Sequence, residues 1–564
     1  MENKAIAKHF KLLAQLMELH EDNPFRTKAV ASAGFQVDKY PYGLYLQWKD
    51  GQTQWEGLSS STTSKVLELF ETGQLASLNS LLEKTPSGVV DLLQLKGLGP
   101  KKIAIIWKQL GIESLGELQY ACNENRLIEA KGFGLKTQQD IGRAIEFAFN
   151  NKGWLLYAKA LKAARQIELD LAPWFLTFKH AHTGALRRAC EVMTEVEFLL
   201  ETTIETAIKE LSNHSTYLLL PTESQDQLRF EDDQGVRFVF YFSDASRYAY
   251  DWWRTTGSSS HLAQLAFLGQ PILPATYENE EAIYERIGIA HIAPELREGT
   301  NEVEKAKHYT LPTLIEYTDL KGALHNHSTY SDGIHTLEQM LVYSKDTLKL
   351  QYFGICDHSR TAVYANGLSE DRIRKQWEEI DLLNTKYAPF KIFKGIESDI
   401  LSDGSLDYSD DFLVGFDFVV ASIHSNLKMD EEKATNRLIK AIENPYTTIL
   451  GHPTGRLLLS REGYPIDYQK VIDACAENGV VIEINANPLR LDLDWRWHQY
   501  ALEKGVLLSI NPDAHRMEGL LDMHYGLLAA RKGGVEAHHC LNAKSIEEIT
   551  TFFNARKNRI NGSA

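Results

Sequence analysis

At 564 residues the chain is too long for one hydrophobic core, so its length predicts three or four domains. Hydrophobic residues at 43% and charged residues at 24% are typical of globular proteins, while a net charge of −16 argues against wholesale wrapping of nucleic acid. Five widely spaced cysteines without a CxxC pair argue against a disulfide framework and against a zinc finger.

Residues 1–150 have a mainly helical pattern that glycine-rich turns interrupt. Charges interrupt the apolar positions of residues 1–16, which predicts an amphipathic helix and not a signal peptide. No run approaches the roughly 18 apolar residues that a membrane helix needs. We therefore expect a cytoplasmic, nucleoid-associated protein without a membrane partner, with a helical domain over 1–80 and a DNA-binding region over 81–150.

Two segments of this region share the pattern apolar-x-x-Gly-x-Gly followed by a helix. They are LLQLKGLGPKKIAIIWKQLGI (92–112) and RLIEAKGFGLKTQQDIGRAI (126–145). Their glycines permit a tight hairpin, so that amides at the start of the next helix point at a phosphate. Both segments resemble helix-hairpin-helix motifs, which bind the DNA backbone without reading its sequence. The candidate DNA-binding residues are Gly97, Gly99, Lys101, Lys102, Gly132, Gly134 and Lys136.

Residues 151–312 mix helices with strands such as STYLLLP (215–221) and VRFVFYF (236–242), which predicts an α+β domain. The stretch 295–317 is charged and contains a proline, as interdomain connections often do.

After Asp319, seven short apolar runs alternate with helical patterns, which is typical of βα units around a parallel sheet or barrel. The runs are LKGALHNHS, LQYFGICDHS, FKIFKGIESD, FDFVVASIHS, YTTILGHPTG, GVVIEINANP and GVLLSINPDAH. In a barrel the C-terminal ends of the strands meet at one mouth, where catalytic groups collect. Because six of the seven runs end in His, Asp or Glu, we expect these side chains to converge.

Six histidines and three acids at these strand ends are candidate metal ligands: His325, His327, Asp332, His358, Glu397, His424, His452, Asp513 and His515. Residues i and i+2 of a strand point to the same side, so His325 and His327 present two donors together, as do Asp513 and His515. Mixed imidazole and carboxylate donors suit zinc, manganese or iron better than magnesium or calcium. Nine donors exceed what one ion takes, which predicts two or three divalent ions.

The motifs HNHSTYSDG, CDHS, KGIESDI, ASIHS, GHPTGR and PDAH resemble those of the polymerase-and-histidinol-phosphatase (PHP) superfamily. More narrowly, nearly all of residues 315–564 resembles the PHP domain attached to bacterial family X DNA polymerases. The resemblance implies a distorted (β/α)7 barrel over 313–564, three bound ions of manganese or zinc, and 3′→5′ exonuclease activity.

The resemblance also implies how the nine ligands divide. The three sets are His325, His327, Glu397 and Asp513 for the first ion, Glu397, His424 and His452 for the second, and Asp332, His358 and His515 for the third. Adjacent cations lower the pKa of a bridging water and stabilise the leaving oxygen of an in-line displacement. We therefore interpret Glu397 and Asp513 as catalytic, and Arg456 as a candidate partner of the substrate phosphate.

TGALRRACEVMTEVEFLL (183–200) resembles, without a gap, the nucleotidyltransferase signature of family X, Gly-Ser-x-Arg-Arg followed by Asp-x-Asp on a strand. The resemblance implies a polymerase-like palm and thumb over 151–312. Ala185 replaces the serine that would bind the triphosphate, and the third carboxylate position falls at Val239. The candidate nucleotide-binding residues of this degenerate site are Gly184, Arg187, Arg188, Glu195 and Glu197, of which the two glutamates replace aspartates.

These replacements weaken the predicted polymerase site. Two-metal transfer needs carboxylates that hold both ions in place, and the extra methylene of glutamate moves its oxygens by about 1.5 Å where about 0.5 Å matters. Valine cannot ligate an ion at all. We therefore predict weak or absent nucleotide incorporation. The hairpin that the family places earlier, here GLSSSTTSKVLELF (57–70), has lost its second glycine and is doubtful as a DNA contact.

The sequence thus favours a monomeric, metal-dependent 3′→5′ exonuclease of DNA repair that binds the DNA backbone. One alternative is an active family X repair polymerase with a PHP proofreading domain, which the altered carboxylates disfavour. A second is a small-molecule phosphatase of the histidinol-phosphatase type, which would have no use for the hairpins. A third is a noncatalytic DNA-binding scaffold, which the complete ligand set disfavours.

Overall fold

The computed structural model describes residues 1–95, 97–115, 118, 121–122, 127, 130, 132–150, 153–221, 226–268, 272–459 and 462–562. The chain divides into two compact units, Met1–Lys152 and Gly153–Ala564. Nowhere in the described ranges is a helix long and apolar enough to cross a membrane.

The first unit is helical, as the sequence predicted. Its helices span Asn3–Leu19, Pro24–Asp38, Leu44–Lys49, Ser60–Thr72, Ala76–Leu82, Ser87–Leu92, Pro100–Ala104 with a π-helical continuation Ile105–Gln109, and Leu135–Asn150. The first helix is amphipathic because Ile6, Phe10, Leu13 and Met17 recur at helical spacing and are all buried. Asn23 begins the second helix by accepting hydrogen bonds from the first-turn amides.

The second unit starts with a mixed sheet and its helices. The strands are β1 (Leu155–Leu156), β2 (His180–His182), β3 (Val192–Met193), β4 (Val196–Leu200), β5 (Tyr217–Leu220), β6 (Gln227–Asp232) and β7 (Arg237–Phe242). The helices are Tyr157–Asp170, Ala172–Phe175, Gly184–Arg187, Ile204–Leu211, Tyr248–Thr256, Ser259–Ala266, Glu280–Arg286 and Glu302–Lys307, with a 3-10 turn at Pro294–Leu296. Five strands pair in the order β2-β4-β7-β6-β5, with β4 and β7 parallel, while β1 pairs with β3.

Seven parallel strands follow, one for each predicted run. They are β8 (Gly322–Ala323), β9 (Tyr352–Ile355), β10 (Lys391–Asp399), β11 (Phe418–Ser422), β12 (Ile449–Leu450), β13 (Val481–Asn485) and β14 (Leu508–Asn511). They pair in chain order, each with its sequence neighbours. The prediction of a (β/α)7 barrel is confirmed.

Helices and short turns surround this barrel. The helices are Leu337–Val342 with a π-helical continuation Tyr343–Thr347, Glu370–Lys386, Asp410–Leu413, Glu431–Ile442, Tyr468–Asn478, His498–Glu503, Met523–Lys532 and Ile546–Gly562. The 3-10 turns are Tyr317–Asp319, Val363–Ala365, Trp495–Trp497, Met517–Asp522, Ala537–His539 and Leu541–Ala543.

The first and last barrel strands meet just beyond their C-terminal ends. The backbone amide of His327 donates to the carbonyl of Ala514 (2.9 Å), and that of Asp513 donates to the carbonyl of His325 (3.1 Å). Asn326 and Ala514 thereby form a parallel bridge. Three candidate metal ligands therefore lie in the backbone segments that bring the two edges of the sheet together.

Candidate metal centre

All nine predicted ligands lie at the mouth of the barrel, where the strand ends place them. Donor atoms within 4.8 Å of one another form three groups that could hold a metal ion. The groups are His327, Asp332, His358 and His515; His325, His327 and Asp513; and His358, Glu397 and His424. The ninth predicted ligand, His452, has its Nε2 atom 3.1 Å from Glu397 Oε1.

Glu397, at the end of β10, is the centre of the cluster. Its Oε1 atom lies 3.2 Å from Nε2 of both His325 and His424. Its Oε2 atom lies 2.9 Å from Nδ1 of His358. Glu397 therefore contacts ligands of all three predicted sets, which places its carboxylate where it could be shared between two neighbouring ions.

Buried acids behind the cluster orient two of the imidazoles. Glu483 on β13 accepts a hydrogen bond from Nδ1 of His325 (2.6 Å), and Asp399 on β10 accepts one from Nδ1 of His424 (2.6 Å). Such partners fix the ring orientation and raise the basicity of a metal ligand. The sequence analysis missed both acids. Their signal was present, because Asp399 stands two residues after Glu397 and Glu483 lies between two isoleucines inside a buried strand.

Three of the candidate ligands have left-handed backbone conformations that side chains other than glycine seldom adopt. The φ angles are +46° at His325, +25° at His452 and +51° at Asp513. Such conformations persist only where the surrounding structure imposes them, and they cluster at functional sites. Closure of the barrel imposes them on His325 and Asp513, because both residues make the closing hydrogen bond.

The cluster also perturbs its own ionisation. Burial opposes ionisation of Glu397, but the charges of His424 and His325 outweigh it and hold the pKa of Glu397 well below its ordinary value. Burial likewise opposes the charged form of His424, yet Glu397 and Asp399 raise its pKa to about 10. At His327, burial and the neighbouring His515 lower the pKa to about 3. Opposite shifts within one cleft are typical of functional sites.

The donor set fits divalent cations. It combines imidazole nitrogens with carboxylate oxygens, and the buried Nδ1 atom of His327 has no hydrogen-bond partner among the described residues. A buried polar atom without a partner is costly unless a ligand satisfies it.

Arg456 is held by the protein itself. Its guanidinium donates to the Asp494 carboxylate (2.5 Å) and to the backbone carbonyls of Arg490 (2.9 Å) and Leu491 (2.5 Å). These bonds favour a role in fixing the loop after β13. Contact of Arg456 with a substrate phosphate stays a prediction.

The two hairpins of the first unit share a backbone conformation. Gly97 has a φ of +88° and Gly132 one of +89°, and the Lys102 ammonium lies 5.8 Å from the ring centre of Phe133. Gly57, in the hairpin that lost its second glycine, has a similar φ of +84°. Residue 96 of the first segment, residues 126, 128–129 and 131 of the second, and residues 123–125 before it lie outside the described part.

Comparison with known proteins agrees with these features. The model of the SAM-like Helix-hairpin-helix tandem matches residues 89–146. The DNA polymerase/3'-5' exonuclease PolX of Bacillus subtilis (strain 168) is 35% identical over 574 aligned residues, covering 98% of this chain and 99% of that protein. This chain belongs to the PolX family.

Shorter relatives of this PolX-family chain match its C-terminal region. A probable phosphatase of Thermoanaerobacter sp. (strain X514) is 30% identical over 193 residues, which is 32% of this chain and 76% of that protein. A probable phosphatase of Acetivibrio thermocellus is 25% identical over 246 residues, which is 42% of this chain and 96% of that protein.

In this PolX-family chain, protein groups contact the carboxylates of the polymerase-like sheet. Glu195 lies 3.5 Å from the Arg229 guanidinium. Glu197 accepts hydrogen bonds from the amide of Ala185 (2.9 Å) and the hydroxyl of Tyr241 (3.2 Å). Val239, buried on β7, is the register partner of Glu197. Partners in register share a face of the sheet, so an apolar side chain stands where a third carboxylate was expected.

The two signature arginines of the PolX-family chain are also paired internally. Both Nη atoms of Arg187 donate to Glu280 (2.8 and 2.6 Å), and its guanidinium lies 3.4 Å from the ring centre of Trp252. Arg188 donates to Glu298 (2.9 Å) and to the carbonyl of Thr256 (2.7 Å). These bonds engage guanidinium N–H groups that would otherwise be free to bind a nucleoside triphosphate.

Proposed function

We propose that this PolX-family chain is a metal-dependent 3′→5′ exonuclease of DNA repair whose palm incorporates nucleotides weakly or not at all. The observation that carries the proposal is the convergence of Glu397 and eight other imidazole and carboxylate residues at the mouth of the barrel. The B. subtilis relative, named as a polymerase and 3'-5' exonuclease, supports it, as do the probable phosphatases. The four-domain division given above is part of the proposal.

The ions would be held by the three sets of ligands described above, with Glu397 shared between the first two. Divalent cations there, manganese or zinc, would polarise the scissile phosphate and supply a nucleophile near neutral pH. Glu397 and Asp513 contribute negative charge that balances the cations. Glu483 and Asp399 keep the rings of His325 and His424 in their ligating orientation.

The internal pairing of the palm supports the second half of the proposal. The positive charge of Arg229 lies beside Glu195, where a cation would have to bind. Glu280 and Glu298 already neutralise both signature arginines. The palm then serves to support the barrel and to position DNA.

One experiment tests both halves. Labelled single-stranded and gapped DNA is incubated with Mn²⁺, with and without nucleotides, using wild type and the His325→Ala/His327→Ala double variant. We expect shortening from the 3′ end by wild type alone, at least about a thousandfold above the variant, because the variant loses donors of two groups. His308→Ala, an exposed histidine in the same unit, serves as the control.

Two results would overturn the proposal. Equal shortening by wild type and the double variant would exclude the cluster as the site of hydrolysis. Extension of the gapped primer at ordinary polymerase rates, abolished by Glu195→Ala, would show a working polymerase site.

A further inference from the structure

A cationic cavity lies on the rim of the barrel beside the metal centre. It measures about 430 Å³ and lies between the loops that follow β10 and β11. Its lining residues are Ser402, Asn426, Leu427, Lys428, Lys433 and Arg437, which include three cations and no carboxylate.

The cavity and the metal centre share the same two loops. The loop after β10 follows Asp399, the last residue of that strand, which orients His424. The loop after β11 contains His424 itself. Asn426 comes two residues after His424, and two residues span at most about 7 Å. The cavity wall therefore begins within about one nucleotide of a candidate metal ligand.

The shape of the cavity is fixed by internal hydrogen bonds. The buried guanidinium of Arg437 donates to the carbonyls of Leu401 (2.9 Å) and Ser425 (3.0 Å), one in each loop. The side-chain amide of Asn426 donates to the hydroxyl of Ser402 (2.8 Å), which links the two loops. Arg437 thus holds the loops together and adds its charge to the wall.

The two lysines of the cavity are available to a ligand. Both are exposed, and neither ammonium takes part in an ion pair with any residue in the described ranges. Among the nearby acids, Asp403 pairs with Lys440 (3.0 Å) and Asp430 accepts a hydrogen bond from the backbone amide of Lys433 (2.8 Å). The exposed Glu431 and Glu432 precede Lys433 in the first turn of the same helix. Flexible ammonium groups without acidic partners suit a phosphate oxygen.

We propose that this cavity binds the phosphodiester that lies immediately 5′ of the scissile bond in the DNA strand. The inference rests on the proposed exonuclease function and adds a second phosphate contact to it. A strand entering the mouth with its 3′ end at the metal centre continues over the rim in the 5′ direction. Lys428 and Lys433 would contact that phosphate and set the register of the strand.

The test compares two substrates in Mn²⁺. Thymidine 5′-(p-nitrophenyl phosphate) reaches the metal centre alone, whereas a single-stranded 12-mer also reaches the rim. A third substrate is the 12-mer with one neutral methylphosphonate at the linkage 5′ of the scissile bond. The variant is Lys428→Gln/Lys433→Gln. The matched control is Lys321→Gln/Lys391→Gln, which removes two lysines at the N-terminal ends of β8 and β10, opposite the mouth.

For the Lys428→Gln/Lys433→Gln variant we expect KM for the 12-mer to rise about tenfold relative to KM for the short ester. The slope of log affinity against log salt should fall by about 0.7, as expected when one phosphate of single-stranded DNA is no longer neutralised. The methylphosphonate should raise KM about tenfold in wild type and have little further effect in the variant. The control variant should match wild type on all three substrates.

An unchanged KM and salt slope in the variant, or a methylphosphonate penalty of the same size in both proteins, would overturn the inference. Inhibition by inorganic phosphate that the variant loses, without any methylphosphonate penalty, would also overturn it and assign the cavity to free phosphate. Cleavage of neither substrate by wild type would overturn the proposed function and this inference with it. If wild type cleaves both the short ester and the 12-mer and either of the first two contrary results is found, only the assignment of the cavity is overturned, and the proposed exonuclease function stands.

Discussion

Glu483 is a buried carboxylate that contacts a ligand of the candidate metal centre. It is fully buried on β13 and accepts the Nδ1 hydrogen bond of His325. Its carboxylate also accepts bonds from the amide groups of Asn485 (2.9 Å) and Asn511 (2.9 Å). The orientation of His325 therefore depends on a fully connected polar network.

Glu483→Gln should weaken metal binding. The glutamine keeps the size of the side chain but removes the charge that holds the His325 imidazole, so we expect Mn²⁺ affinity to fall about 10- to 100-fold. Titration with Mn²⁺, followed by metal content and by exonuclease rate, measures the change. Glu477→Gln, at an exposed position of the helix Tyr468–Asn478, is the control. Equal Mn²⁺ affinity in wild type and Glu483→Gln would contradict this role.

Ionisation of Glu280 makes the folding stability of its domain depend on pH in the acid range. Burial opposes its ionisation, but hydrogen bonds from Arg187 and the charge of Arg297 outweigh burial and lower its pKa from 4.5 to about 2. A depressed pKa stabilises the folded state above the unfolded value, and this stability is lost as pH falls. The contribution of Glu280 is therefore complete above pH 4.5 and declines between pH 4.5 and about 2.

Glu280→Gln should remove that contribution. It leaves the buried Arg297 and the neighbouring Arg187 without their carboxylate, so we expect a loss of roughly 3 kcal/mol at pH 7. The thermal midpoint of the variant should also change less than that of wild type between pH 5 and 3. Glu281→Gln, the exposed neighbour on the same helix, should behave as wild type. Parallel acid profiles for Glu280→Gln and wild type would exclude this assignment.

Some of these residues could be predicted from the sequence and others could not. The position of His325 and His327 at the barrel mouth was predictable, because the strand period of two and the end of a strand can both be read from a short stretch of chain. The pairing of Arg187 with Glu280 could not be predicted, since it joins residues 93 positions apart. The left-handed backbone conformation of Asp513 could not be predicted from the sequence either, because it follows from closure of the barrel.

At the scale of elements, the barrel helix Met523–Lys532 is attached to the palm through ionic contacts. Lys532 is almost fully buried, and its ammonium donates to Glu298 (2.5 Å) and to the carbonyl of Arg188 (2.9 Å). Glu298 thus joins the second signature arginine to the barrel. Arg188, a predicted nucleotide-binding residue, is therefore part of the contact between the mixed sheet and the barrel.

Lys532→Met and Glu298→Gln should each destabilise the second unit. Removing one partner leaves a largely buried charge, so we expect a loss of about 2–4 kcal/mol for each variant. In a double-mutant cycle the pair should show a coupling of about 1–3 kcal/mol, measured by chemical denaturation.

The exposed pair Lys440 and Asp403 provides the matched control for that cycle. The side chains are 53% and 64% exposed at a similar separation of 3.0 Å, so their coupling should stay below about 1 kcal/mol. Equal coupling energies for the two pairs would show that Lys532 does not join the barrel to the palm.

At the scale of the whole molecule, the chain must bind DNA although its net charge is −16. The predicted hairpins would allow this, because backbone amides at the start of a helix attract a phosphate whatever the charge of the rest of the protein. Gly97 and Gly132 make the turn possible through φ angles near +90°. A Cβ at either glycine would meet no atom within 4 Å among the described residues beyond its chain neighbours. An alanine there would therefore act through backbone strain and not through a clash.

The lysines beside these turns supply the remaining charge, and their removal should weaken DNA binding by this PolX-family chain. For Lys101→Gln/Lys102→Gln/Lys136→Gln we expect affinity for duplex DNA to fall about 10- to 100-fold, equally for unrelated sequences, because the contacts are to phosphates. The slope of log affinity against log salt should fall by about 2.7, at about 0.9 per lost phosphate contact. Hydrolysis of thymidine 5′-(p-nitrophenyl phosphate), which needs only the metal centre, should be unchanged.

Lys39→Gln/Lys49→Gln/Lys84→Gln is the control variant. It removes three exposed lysines of the same unit away from both turns, and it should keep the affinity and salt slope of wild type. If both triple variants lose affinity equally, DNA binding reflects the overall charge of the unit and not the hairpins.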